Sequence, residues 1–154
     1  MKYTTSLITF SEIPDEITLC INISNCPFRC EGCHSKELWE DKGKELTTNE
    51  IDSLLQNGVS CISFMGGDSD LYTLLKLLKY VKEYYPNVKT AWYSGRKEVP
   101  FTDFSLELLD FIKLGPYIKH KGPLNNPNTN QRLYKLFHKD NITFFENITN
   151  KLWK

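Results

Sequence analysis

The sequence predicts an α/β fold on a mainly parallel sheet in a single domain spanning residues 1–154, too short for any barrel but a partial, open one. Three observations lead there. Strand-like runs alternate with helix-like runs through the first two thirds of the chain, the order that gives parallel strands joined by right-handed crossovers. Two of the strand-like runs lead directly into loops rich in cysteine or glycine, and α/β folds place ligand sites at the carboxyl ends of strands. Finally, 154 residues suffice for one domain with a real core but fall short of the roughly 250 of a closed (β/α)8 barrel.

The first strand is predicted where Ile17, Leu19, Ile21 and Ile23 alternate with Thr18, Cys20, Asn22 and Ser24, the period of two that gives one apolar and one polar face. It runs straight into Cys26. After a polar stretch, Thr47-Thr48-Asn49-Glu50 has the form of a capping box, with Ile51, Leu54 and Leu55 as the buried stripe of a helix and Gly58 as its stop. Residues 59–64 read as a second strand, which delivers Met65-Gly66-Gly67-Asp68 to the same end as the cysteines if the two strands run parallel. A second helix carries Leu71, Leu74, Leu75, Leu78 and Val81 at helical spacing, with Pro86 just past its end. Residues 88–93 form a third strand closing on Ser94-Gly95. Beyond Gly95 the pattern thins: 104–109 reads as a short helix, 111–114 as a strand, 121–130 as a loop rich in Gly, Pro and Asn, and 142 onward as a final strand or helix.

Composition excludes several function classes. Nineteen basic residues balance nineteen acidic ones, which removes the electrostatic reason to expect nucleic acid or an anionic membrane as ligand. The first ten residues lack the apolar core of a signal peptide and no stretch is long enough to span a bilayer, so the expected location is the cytoplasm. In a reducing compartment the five cysteines read as metal or catalytic residues rather than a disulfide framework.

Cys26, Cys30 and Cys33 fall within eight residues at the spacing C-x3-C-x2-C. Thiols that close cannot pair into ordinary disulfides without strain, yet they can converge on one centre. Iron-sulfur clusters of the four-iron kind take four cysteine ligands, so a set of three leaves one iron open. Other readings stay open at this point. Cys30 to His34 is formally the C-x-x-C-H of a c-type haem site, which requires export. A zinc-binding interaction module would need a fourth ligand, for which Cys20, Cys61, His120 and His138 are available, and a dithiol redox pair would leave one cysteine idle. Taken alone, Gly66-Gly67-Asp68 is a strand-to-helix turn with an Asp at the helix start.

The cysteine motif, with Phe28 inside it and His34 after it, resembles that of the radical S-adenosylmethionine (SAM) superfamily. More narrowly, Cys30-Glu31-Gly32-Cys33-His34-Ser35, Met65-Gly66-Gly67-Asp68 and Thr129-Asn130-Gln131-Arg132 resemble the activating proteins of anaerobic ribonucleoside-triphosphate reductases, over about residues 17–133. The resemblance implies a partial, open β/α barrel, a [4Fe-4S] cluster on Cys26, Cys30 and Cys33, and SAM bound near Gly32, Cys33, His34, Met65, Gly66, Gly67 and Asp68. Ser94 and Asn130 are further implied contacts, although Arg96 stands where relatives carry an aromatic residue. It implies an enzyme that cleaves SAM reductively and takes a hydrogen atom from a glycine of the reductase, with an external electron donor such as flavodoxin and no side-chain acid or base. A radical SAM enzyme acting on a different glycyl-radical protein or on a small molecule would share the first two motifs.

Overall fold

The computed structural model describes residues 1–153, apart from the side chains of residues 103 and 104. Its strands are β1 (Lys2–Thr9), β2 (Thr18–Ile23), β3 (Lys44–Glu45), β4 (Cys61–Met65), β5 (Lys89–Tyr93), β6 (Phe111–Leu114), β7 (Arg132–Lys139) and β8 (Ile142–Asn147). The helices are α1 (Thr48–Leu54), α2 (Leu71–Tyr84) and the single turn α3 (Asp103–Leu106). Among the described residues all eight strands join one sheet in the order β3-β1-β2-β4-β5-β6-β7-β8.

This corrects the predicted fold class. The sheet is mixed, with antiparallel pairing at β1/β2, β1/β3, β6/β7 and β7/β8, and only β2/β4, β4/β5 and β5/β6 parallel. It is therefore not a mainly parallel partial barrel, and among the described residues only α1 and α2 are helices longer than four residues. The physical reason lies in the connections. A parallel crossover needs a dozen or so residues and usually a helix, whereas antiparallel neighbours need far less. Strands β7 and β8 are joined through Asp140 and Asn141, both with positive φ (51° and 62°), the backbone of a tight hairpin turn that Asp and Asn tolerate.

The central parallel strands do follow the predicted pattern. In β2 and β4, Leu19 pairs with Ile62 and Ile21 with Phe64, so both strands end side by side, one before the cysteine loop and the other at Met65. Leu19, Ile21 and Ile23, with Ile62, Phe64, Trp92 and Ile112, pack on Ile51 of α1 and on Leu74, Leu77, Leu78 and Val81 of α2. The opposite face of the sheet buries Cys61, Ala91, Tyr93, Phe111 and Leu133 under Ile13 and Ile148. Apolar burial on both faces stabilises the parallel centre.

Only half of the predicted capping box forms. Thr47 Oγ1 accepts from the Glu50 amide at 3.2 Å. The Glu50 carboxylate, instead of reaching back to Thr47, accepts from the Tyr3 hydroxyl and pairs with Lys44 at 2.6 Å. Burial together with this carboxylate pushes the Tyr3 hydroxyl up to about 12. Tertiary contact with β1 outcompetes the local cap. No helix among the described residues is long and apolar enough to cross a membrane.

Candidate metal centre

The cysteine loop leaves the end of β2 and folds back on a short 3-10 turn at Lys36–Trp39. The Asn25 amide donates to Glu40 O at 3.1 Å, and the Cys26 amide to Leu38 O at 2.9 Å. A second turn closes where the Cys33 amide donates to Cys30 O at 3.1 Å. Asn25 and Arg29 both have positive φ (63° and 45°). For an arginine this is a costly conformation, on the order of 1–3 kcal/mol, and it falls between the first two cysteines, where the chain must turn sharply.

Cys26, Cys30 and Cys33 line one partly open cavity of about 170 Å³. Met65, Gly66 and Asp68 from the end of β4, Ser94 and Gly95 after β5, Lys113 in β6 and Gln131 before β7 complete much of its wall. Parallel pairing of β2, β4 and β5 is what brings these three strand ends to one rim.

Close contact fixes the loop to that rim. A Cβ built on Gly95 would come within 2.5 Å of the Phe28 ring, so the ring rests directly on the Gly95 backbone. Gly66 and Gly67 have φ of 112° and 95°, a conformation that side-chain-bearing residues rarely adopt. Trp92 Nε1 donates to Gly66 O at 2.8 Å, tying this turn to the sheet below. Replacing Trp92 with Phe leaves that carbonyl unpaired and is expected to cost about 1–3 kcal/mol, read as a lower denaturation midpoint in urea.

Asp68 is 6 % exposed, and its carboxylate is already engaged. Oδ1 accepts from Ser94 Oγ at 2.5 Å and from Arg96 Nε at 3.2 Å, while Arg96 Nη2 donates to Asp68 O at 3.1 Å. Burial pushes the Asp68 carboxyl up, against the pull of Ser94, the Gly95 amide, Arg96 and Lys113. Asp68 and Arg96 thus brace the β4 and β5 ends together. The arginine that broke the expected motif has a structural task.

The structure does not bring all the expected residues to the cavity. Gly32, His34, Gly67 and Asn130 stand outside its lining. Gly32 lies against the Lys119 stem, His34 stacks edge-on to Tyr117 at 5.5 Å, and Gly67 backs onto Met1 and Ile23. Asn130 Nδ2 donates to Pro116 O at 2.9 Å, and the residue lines a separate cavity with Arg132 and Tyr134. Its neighbour Gln131, 5 % exposed, faces the cysteines instead. The period of two running into β7 puts Gln131 and Leu133 on one face and Asn130 and Arg132 on the other; that alternation was the available signal.

Lys113 gave no such signal. Its Nζ donates to Gly115 O at 2.9 Å and Ser94 O at 3.3 Å and lies 6.0 Å from the Tyr93 ring centroid. Burial pushes its ammonium down to about 8, opposed by Asp68 and the three cysteines.

The donor chemistry of the cavity fits an iron-sulfur cluster. Its lining offers three thiols and no other Cys or His. Cys20 and Cys61, offered above as a fourth zinc ligand, are buried in the sheet at 2 % and 0 % exposure, with burial pushing both thiols up, to about 12 for Cys20. His138 Nε2 is within 2.9 Å of Leu109 O, away from the cavity. Among the described residues no three Cys, His, Asp or Glu side chains are placed to hold a single metal ion, whereas a cubane distributes its thiolate ligands over separate irons. Ser35 N donates to Cys33 Sγ at 3.4 Å, and burial raises the Cys26 thiol while the amides of Phe28 and Arg29 oppose it; such amides favour the thiolate form that metal binding needs.

Comparison with known proteins agrees with this donor set. No curated protein matches the chain. A family model described as a 4Fe-4S single cluster domain matches residues 17–136, a span that opens at β2, includes the three cysteines and reaches into β7. With well over half of its length in that match and three thiols around one cavity, the chain belongs to the 4Fe-4S single cluster domain family.

Proposed function

We propose that this iron-sulfur protein is a radical SAM activating enzyme, which installs a glycyl radical on an anaerobic ribonucleoside-triphosphate reductase. The observation that carries the reading is the meeting of three cysteines, Met65-Gly66, Asp68 and Ser94 at one cavity whose lining holds no fourth Cys or His. A donor set of three leaves room for a ligand on the cluster itself.

Cys26, Cys30 and Cys33 would hold the cluster. Bound there and reduced, the cluster would supply the electron for reductive cleavage of SAM, the chemistry that would let a hydrogen atom be taken from a glycine Cα of the partner. The chain's own residues bind and orient. Met65 and Gly66 present the rim beside the cysteines, and the Asp68-Arg96 brace keeps that rim fixed against Ser94. With its carboxylate committed to Ser94 and Arg96, Asp68 acts by positioning backbone rather than by meeting the ligand directly. Gln131 offers an amide from the far wall. An external donor such as flavodoxin supplies the electron.

The test is anaerobic incubation of the reduced, cluster-loaded chain with SAM and the reductase. The expected result is a protein-centred glycyl radical by electron paramagnetic resonance, dependent on all three components. SAM cleavage that proceeds equally well without the reductase and leaves no protein radical would instead indicate a small-molecule substrate.

A further inference from the structure

The cavity wall contains one cation that the proposed reaction does not use. Lys113 lines the same cavity as Cys26, Cys30 and Cys33, and two of its three N–H groups are committed to Gly115 O and Ser94 O, so the ammonium is held in place. The carboxylates whose charges reach it are Asp68, already paired with Arg96 at 3.2 Å, and the half-buried Glu12. Each cysteine thiolate adds negative charge to a cluster, and accepting an electron adds one more. A fixed positive charge beside such a site favours the more negative, reduced state, and the effect is strong where protein rather than water surrounds it.

We infer that Lys113 is a redox-tuning residue, whose half-buried, hydrogen-bonded ammonium raises the reduction potential of the cluster held by Cys26, Cys30 and Cys33. The inference rests on the cluster and on the position of Lys113, and stands whether or not SAM is the ligand. Lys113 acts here through charge rather than as a metal ligand.

The experiment is a potentiometric titration of the reconstituted full chain, without SAM, following the cluster by electron paramagnetic resonance. Lys113→Met is expected to make electron acceptance about tenfold less favourable, a fall of about 59 mV for a one-electron couple. Lys113→Arg keeps the charge and should stay near the wild-type value. Lys113→Gln retains a donor toward the two carbonyls and serves as a second neutral variant should Met unseat them. Lys119 is an exposed lysine lying against Gly32 of the same loop; Lys119→Met should move the potential far less, because solvent and salt screen an exposed charge. Neutral variants at the wild-type potential, or a Lys119→Met shift as large as that of Lys113→Met, would overturn the assignment.

Discussion

Serine in place of Cys30 should leave the chain nearly free of iron and sulfide after anaerobic reconstitution, and the same holds for Cys26 and Cys33. The three sulfurs share one cavity whose lining supplies no substitute Cys or His. Loss of a partner that merely orients a metal ligand typically weakens binding by about 10–100-fold, and loss of a direct ligand should exceed that. The comparison that makes the result specific is Cys61→Ser. Cys61 is fully buried in β4, where Sγ makes one long contact to Ile62 O at 3.8 Å. A hydroxyl there is expected to cost about 1–3 kcal/mol of stability and leave the iron content per folded chain unchanged. Iron and sulfide assays beside urea titrations separate the two kinds of cysteine. Equal cluster loss in Cys61→Ser and Cys30→Ser would contradict the assignment.

Alanine at Gly95 is expected to lower cluster loading although residue 95 contributes no ligand. Its Cβ would stand 2.5 Å from Cδ2 and 2.8 Å from Cε2 of Phe28, and the overlap is with a ring, which cannot bend aside like a flexible chain end. Phe28 lies between Cys26 and Cys30, so displacing its ring displaces the loop that spaces them. Overpacking of this kind costs about 1–3 kcal/mol. A paired Phe28→Leu substitution should restore part of the loading by vacating the space, whereas a general loss of stability at residue 95 would not be rescued. Reconstituted iron per chain in the single and double variants decides between them.

The parallel centre of the sheet and its site were legible because their residues obey short-range rules. β2 shows clean alternation, α2 a helical stripe, and the cysteines a spacing that few other uses explain. The flanking antiparallel strands were not legible in the same way. In β1, only Tyr3 is buried, so no alternation marks it, and in β7 the buried Leu133 and Leu136 are three residues apart and so face opposite sides of the sheet. Part of what holds such strands is pairing across the sheet, β1 with β3 and β7 with β6, which tertiary context decides. Within the cavity lining, motif order pointed to Met65, Gly66, Asp68 and Ser94, while Lys113 and the Asp68-Arg96 brace depend on which strands end side by side. Arg96 shows the limit well: as a departure from a motif it read as a loss, and only the position of Asp68 reveals its use.

The two apolar clusters that hold the sheet, one under α1 and α2 and the other under Ile13 and Ile148, include none of Cys26, Cys30 and Cys33. Small modules whose metal replaces a core collapse when the metal is removed, but this chain has its own interior. Oxygen that dismantles the inorganic centre should therefore leave an intact shell behind. Damage in air then becomes a repairable injury, and the same polypeptide can be recharged with iron and sulfide instead of being made anew.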